Sequence, residues 1–241
     1  TSYYHKSIGG YHAAKLRRYQ ELIDAYISPE MQKMMLAIAK AGGDMTKVNG
    51  DSLFPVLNML NAKYFIVPLQ ANQTVAIENP YVYGNAWFVD KVTYVKNANE
   101  ELDALGKLNL RHEAVADARF QSPLGESKNQ DSTSIVKLTA YEPNQLTYDV
   151  RSATGGIVVF SEIFYPEWTA TVDGKPVEIG RVDYVLRALN VDKGHHKVVL
   201  TFDPKSVKQT ETVAYLSYGV LLLVVLFAVY FKRKEDKKAQ A

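Results

Sequence analysis

The stretch Leu146-Thr147-Tyr148-Asp149-Val150-Arg151 decides the fold class. Leu146, Tyr148 and Val150 fall on one side of an extended chain, and Thr147, Asp149 and Arg151 on the other. That period of two belongs to a half-buried strand. Val198, Leu200 and Phe202 repeat it against Lys197, Thr201 and Asp203. Between these runs, Asp173-Gly174 separates Thr169–Val172 from Lys175–Ile179. The pair supplies the two left-handed residues of a tight hairpin. Lys193-Gly194 predicts a similar turn between Tyr184–Val191 and His196–Phe202. Short strands with turns every 8–12 residues predict an antiparallel β-sandwich, Ig-like or jelly-roll-like, over residues 135–204.

Working outward, Ser122–Ser134 is polar and almost free of large apolar residues, so 122–134 is predicted to be a linker. Residues 1–121 ahead of it read as an α+β domain. Leu16, Tyr19, Leu22, Ile23 and Tyr26 form one face of a helix from about His12 to Ile27. Ser28-Pro29 restarts the chain as cap and first helical residue. Met31, Met34, Met35 and Ile38 form the next buried stripe, which Gly42-Gly43 stops. A short helix is expected over Leu53–Leu60, with Pro55 in its first turn. Ala62–Val67 reads as a buried strand, and Thr74–Glu78 and Phe88–Val95 as further strands. Asn97 caps a helix to Leu108, with Glu100 at the capping-box position. The fold class is therefore α+β, with the sandwich second.

The end of the chain differs in kind. From Thr212 to Phe231 no residue is charged, and twenty helical residues span about 30 Å, the thickness of a bilayer's hydrocarbon core. Tyr215, Tyr218 and Tyr230 lie towards the ends of this run, where amphipathic rings favour the headgroup level. Residues 212–231 are read as a transmembrane helix. The tail 232–241 begins Lys232-Arg233-Lys234-Glu235-Asp236-Lys237-Lys238, whereas only Lys205 and Lys208 lie close before the span. Basic residues favour the cytoplasmic side, which predicts residues 1–211 outside the cell membrane and the C-terminus inside. A tail-anchored protein facing the cytoplasm is the competing reading, and the charge bias opposes it. The chain opens at Thr1 without a methionine or a signal peptide, so further chain is expected upstream.

Composition removes several function classes. The chain has 28 Lys+Arg and 26 Asp+Glu; without the tail's five basic and two acidic residues the balance is 23 against 24. The mild basicity belongs to the anchor, and no nucleic-acid footprint is expected. Cysteine is absent, which excludes disulfides and thiolate chemistry. No phosphate-binding glycine loop, zinc helix, nucleophile elbow or Asp-x-Asp pair occurs, so no catalytic residue, metal or cofactor is assigned. His195-His196 reads as a solvated turn. Glu162 and Glu167 flank an aromatic cluster and would be acid and base of a glycosidase, but sequence spacing does not place them together in space.

Several stretches carry a family resemblance. They are Gly9-Gly10-Tyr11-His12-Ala13-Ala14-Lys15 with Arg18-Tyr19-Gln20, Leu57–Tyr64, Asn79-Pro80 with Gly84–Val89, Tyr165–Trp168 with Asp173-Gly174-Lys175, Arg181–Ala188, and Gly194-His195-His196. In their order and spacing they resemble the C-terminal region of YfhO-like bacterial membrane proteins. Such proteins are multi-pass and similar to the GT-C glycosyltransferases, which modify cell-envelope polymers from lipid-linked sugar donors. Their catalytic carboxylate lies among N-terminal membrane helices, so none is carried over to this chain. The resemblance implies an exterior C-terminal portion that binds the acceptor glycan or covers the active site. Its partners would be the bilayer, a lipid-linked sugar and an envelope glycan. Trp87, Tyr165 and Trp168 are candidates for stacking on sugar faces, and Arg181 and Arg187 for meeting a phosphate or carboxylate. A membrane-anchored binding or structural module with no enzymatic partner in the same chain is the alternative.

Overall fold

The alternating strands pair as their periodicity requires, and they extend into a layer that also serves the helical half. The computed structural model describes residues 6–9, 15–68, 73–126, 128 and 133–239. The helices are α1 (Arg17–Leu22), α2 (Ser28–Lys40), α3 (Gly50–Leu53), α4 (Pro55–Met59), α5 (Ala98–Leu105), α6 (Gln121–Leu124) and α7 (Lys205–Ala239). The strands are β1 (Tyr64–Pro68), β2 (Thr74–Glu78), β3 (Ala86–Val89), β4 (Lys91–Val95), β5 (Glu113–Asp117), β6 (Ile135–Glu142), β7 (Gln145–Ser152), β8 (Gly156–Ile163), β9 (Trp168–Val172), β10 (Lys175–Val177), β11 (Gly180–Val182), β12 (Leu186–Val191) and β13 (Gly194–Phe202). The chain is α+β, as expected.

Two sheets face each other. One runs β10-β9-β13-β7-β6 and the other β11-β12-β8-β3. Between them lie Leu146, Tyr148 and Val150 of β7, Val198 and Leu200 of β13, Val158 and Phe160 of β8, and Leu189 and Val191 of β12. The opposite face of the four-stranded sheet presents Trp87, Val89, Ile157, Val159, Leu186 and Ala188 to a second core built with Leu22, Met34, Leu57, Leu105 and Leu124. The four-stranded sheet is thus a middle layer, buried on both faces. Such strands read as continuous apolar runs, as Ile157-Val158-Val159-Phe160 does. Strand β3, from the N-terminal region, pairs with β8 (Trp87 opposite Val159, Phe88 opposite Val158). The pairing therefore crosses the polar stretch 122–134, and residues 1–201 form one compact unit with residues 202–241 as another. Within 122–134 the described part is not all linker: Leu124 is fully buried, and a Cβ on Gly180 would lie 2.6 Å from its side chain.

Several local expectations are corrected. The first helix does not stop at Ser28; Ile23–Ile27 form a π-helical turn that runs straight into α2, and Ser28 makes no side-chain cap. The stretch from His12 to Ala14 lies outside the described residues. Met31 is exposed, and Glu30 is buried in its place, accepting the Val56 and Leu57 amides at 3.1 and 2.9 Å as α4 begins. Leu53–Leu60 divides at Phe54, and Pro55 opens the second piece. Strand β1 buries only Phe65 fully. The run from Phe88 to Val95 divides at Asp90 into β3 and β4, which join different sheets, β4 pairing in parallel with the unforeseen β5. Lys193-Gly194 carries the chain from one sheet to the other, so β12 and β13 are not a hairpin. Asp173-Gly174, by contrast, turns β9 into β10 with φ of 51° and 78°, the left-handed pair a type I′ turn needs.

Asn97 caps α5, accepting from the amides of Asn99 and Glu100 at 3.1 and 3.0 Å. The Asn58 and Asn79 side chains bond each other at 2.9 Å, and Asn58 donates to the Gly50 carbonyl at 3.0 Å. Asp183 stands at φ 49° in the turn between β11 and β12 and is fully buried. Its Oδ1 accepts the Val115 amide at 3.0 Å, tying that turn to β5. Burial, with the neighbouring Glu101, pushes its carboxyl up to about 8.

In unit 202–241, α7 contains a 28-residue stretch, Lys205–Lys232, long and apolar enough to cross a membrane. Leu221, Val224, Phe227 and Tyr230 are all more than half exposed along it. Apolar side chains over a whole helical circumference suit lipid rather than water.

An acid whose pKa is raised by folding binds more protons folded than unfolded. Its contribution is therefore complete below an unfolded value of about 4 and is lost as pH rises towards about 8. Stability should fall over that window by up to about 1.4 kcal/mol per pH unit. Asp183→Asn keeps the acceptor and removes the proton, so it should flatten the slope. Denaturation of residues 1–201 in the intact chain at pH 5, 6, 7 and 8 checks this; equal slopes in both proteins would remove Asp183 as the cause.

Candidate functional site

A cleft of about 340 Å³ lies where the chain enters α1 beside the ends of β8 and β12. It is lined by Lys15, Leu16, Tyr19, Glu162, Ile163, Tyr165 and Arg187. The β8–β12 register shifts here: Ile163 faces Leu186, yet Phe160 faces Arg187. Ser161 and Glu162 form the resulting bulge, and bulges re-aim side chains beside sites. The Ser161 hydroxyl fixes it from behind, reaching the carbonyls of Met59 at 2.6 Å and Gly84 at 2.8 Å.

Arg187 continues the row of Val191 and Leu189 along the sandwich-facing side of β12, so its side chain is interior and only 3% exposed. The guanidinium lies 3.8 Å above the Trp168 ring of β9 and donates through Nε to the Ile163 carbonyl at 3.0 Å. Its Nη1 is buried without a hydrogen-bond partner among the described residues. Burial lowers its pKa to about 10 while Glu162 opposes the shift, so it stays charged at neutral pH. Glu162 is raised by burial, with Arg187 and Lys6 pulling the other way. Tyr19 donates to the Ile8 carbonyl at 2.5 Å, and burial pushes its phenol up to about 12. Tyr165 is 45% exposed at the rim. The cleft joins a fixed cation, a carboxyl group, an outer ammonium and two phenol rings. That combination suits a polyol, whose hydroxyls need acceptors and whose ring faces need apolar contact.

Of the five residues expected to bind, Tyr165 and Arg187 line this cleft, and Trp168 supports Arg187 from beneath. Trp87 is elsewhere, packed at 5.2 Å edge-to-face on Tyr83 within the core. Arg181 is buried too: its Nη2 and the Nη1 of Arg18 each donate to Glu101 Oε2 at 3.1 Å, and its guanidinium stacks 5.1 Å from Phe120. Glu21 of α1 accepts from the Tyr184 hydroxyl. These contacts hold α1, one wall of the cleft, against β11 and the following turn. Lys15, Tyr19 and Glu101 were not foreseen as site or support residues. Tyr19 carried a helical-stripe signal and, like Lys15, stood in a stretch of the family resemblance without a role assigned, and the burial of Glu101 in a capping helix has no sequence signature.

The two histidines of the last turn also find partners: His195 contacts Asp149, and His196 Nδ1 lies 2.7 Å from Asp173 Oδ2. The bond to Asp173 raises the pKa of His196.

The bulge, the stacked arginine and the β8–β12 side of the cleft fall inside the stretch of chain matched by a known family, whereas Lys15, Leu16 and Tyr19 lie outside it. A family model described as bacterial membrane protein YfhO covers residues 102–214. Residues 102–214 are YfhO-like. That match runs from within α5 through β5–β13 into the start of α7, leaving out β3 of the sandwich, and it agrees with the resemblance drawn from the motifs. The match and the apolar C-terminal helix together support a membrane location. No curated protein and no solved structure matches it.

Removing the ring beneath Arg187 should be costly, whereas trimming the rim should not. Trp168→Ala is expected to lose about 2–3 kcal/mol, combining lost packing with the cation–π contact. Tyr165→Ala should stay within about 0.5 kcal/mol, as exposed positions do. Equal losses in denaturant titrations of the two variants would mean that the stack does not organise the site.

Proposed function

We propose that this YfhO-like chain is the extracytoplasmic C-terminal portion of a membrane glycosyltransferase-like protein. It would modify cell-envelope glycans from a lipid-linked sugar donor, with the cleft engaging the acceptor beside the membrane-embedded reaction centre. The observation that carries this reading is the cleft itself: Arg187 stacked on Trp168, with Glu162 and Tyr165 beside it inside the family-matched region and Tyr19 closing it from α1. Fixed hydrogen-bonding groups beside aromatic surface suit sugar binding. The five basic residues after Phe231 support an exterior location for residues 1–211. Trp87 and Arg181 act as supports of the fold in this reading. Tyr165, Trp168 and Arg187 are the binding set.

Two measurements test it. These 241 residues hold no cysteine, so single thiols introduced into them report sidedness by the labelling gained over the parent protein. Lys175→Cys in the exposed β9–β10 hairpin should react with an impermeant maleimide in intact spheroplasts, and Lys238→Cys only after permeabilisation. The reverse pattern would place the sandwich in the cytoplasm. Deleting the gene in its host should lower the sugar substitution of an envelope polymer, measured by mass spectrometry. The wild-type gene should restore it and Trp168→Ala should restore it only in part. Unchanged envelope sugars would contradict the transferase reading and favour an anchored binding module.

A further inference from the structure

The cleft also specifies the charge of what it holds. A buried guanidinium normally has its donors taken up, because an unpaired buried polar group costs about 1–3 kcal/mol, more when charged. Arg187 uses Nε on the Ile163 carbonyl, one face on Trp168, and leaves Nη1 buried without a partner among the described residues. Glu162 attracts it, yet no direct ion pair joins the two among the described residues. The surrounding charge is in excess on the same side. Lys15 lines the cleft, and Lys6, whose Nζ sits 3.0 Å over the Tyr141 ring, adds a further positive charge acting on Glu162. The cleft thus has two cations, Arg187 and Lys15, in its lining against the one carboxyl group of Glu162, on which Lys6 also acts. A guanidinium with an unpartnered donor suits an oxygen of a carboxylate or phosphate.

We propose that this cleft is an oxyanion site, taking a carboxylate or phosphate carried on a polyol, with Arg187 as its anchor and Lys15 at its mouth. Glu162 accepts from the polyol hydroxyls, and Tyr165 covers an apolar face of the ligand. The polyol is either an acidic saccharide or the headgroup of an anionic lipid; the recognised chemistry is the same. This inference rests on reading the cleft as the glycan-facing site.

The test uses the full chain in phosphatidylcholine nanodiscs, titrated with glucose 1-phosphate, glucuronate and glucose by calorimetry. The two anions should bind at least about tenfold more tightly than glucose, the equivalent of about 1.4 kcal/mol. Arg187→Gln should lose that preference. Since Arg187 is buried and its variant can misfold, exposed Lys15→Gln is the second probe. It should weaken anion binding about threefold, as an outer charge does, with an unchanged melting temperature. Nanodiscs containing phosphatidylglycerol separate the two sources: suppressed glucose 1-phosphate binding assigns the lipid headgroup, and unaltered binding assigns the saccharide. Glucose binding as tightly as the anions would overturn the inference and leave the glycan reading standing. No binding in phosphatidylcholine nanodiscs, or full anion affinity in both variants, would also overturn it. Oxyanion binding by a protein whose deletion leaves envelope sugars unchanged would remove only the transferase reading.

Discussion

The burial of one sheet on both faces is the constraint from which the rest follows. Strands β3, β8 and β12 send alternate residues into two cores: Val158, Phe160, Leu189 and Val191 into the sandwich, and Trp87, Val159, Leu186 and Ala188 towards the helices. A slip of one residue in any of them would exchange the two sets, so the register is fixed from both sides. Even the irregularity at Ser161-Glu162 is held, because the Ser161 hydroxyl reaches two carbonyls of the N-terminal region. The cleft exists because the middle sheet is fixed up to its end and then departs from regularity there.

Buried charge is handled differently at two places. Around Glu101, two arginines share one carboxylate oxygen and the pieces are locked together. Breaking such a group strands a charge in the interior, so it favours a single arrangement of α1, α5 and β11. At Arg187, an aromatic ring and one carbonyl hold the guanidinium, and a donor remains over. The first arrangement pairs its charges within the protein, although Glu101 Oε1 and Arg181 Nε have no hydrogen-bond partner among the described residues; the second holds its guanidinium without an ion pair.

Much of this was legible in the residues, and the failures have physical causes. The alternation of Leu146, Tyr148 and Val150, the Asp173-Gly174 turn, the Asn97 cap and the uncharged helix from Thr212 all act within a few residues, where local geometry governs. Long-range partnering is invisible at that scale. Nothing in Ala86–Val89 announces that it pairs with β8 some seventy residues on, so residues 122–134 read as a boundary. A single Asp90 separates strands that belong to different sheets. Trp87 and Arg181 have side chains suited to sugars, and the same chemistry serves to fill a core or neutralise Glu101. Arg187 was the instructive case: its register with Leu189 and Val191 already places it on the inner face, but only the fold shows what lies beneath it.

Hydrogen exchange of the full chain in nanodiscs, followed by mass spectrometry, tests the middle-layer account most directly. If β3, β8 and β12 form one layer shared by both cores, peptides covering 86–89, 156–163 and 186–191 exchange last and open together. Loss of protection in 86–89 and the helical region while 145–191 remains protected would contradict it, and would divide residues 1–201 into two independent domains.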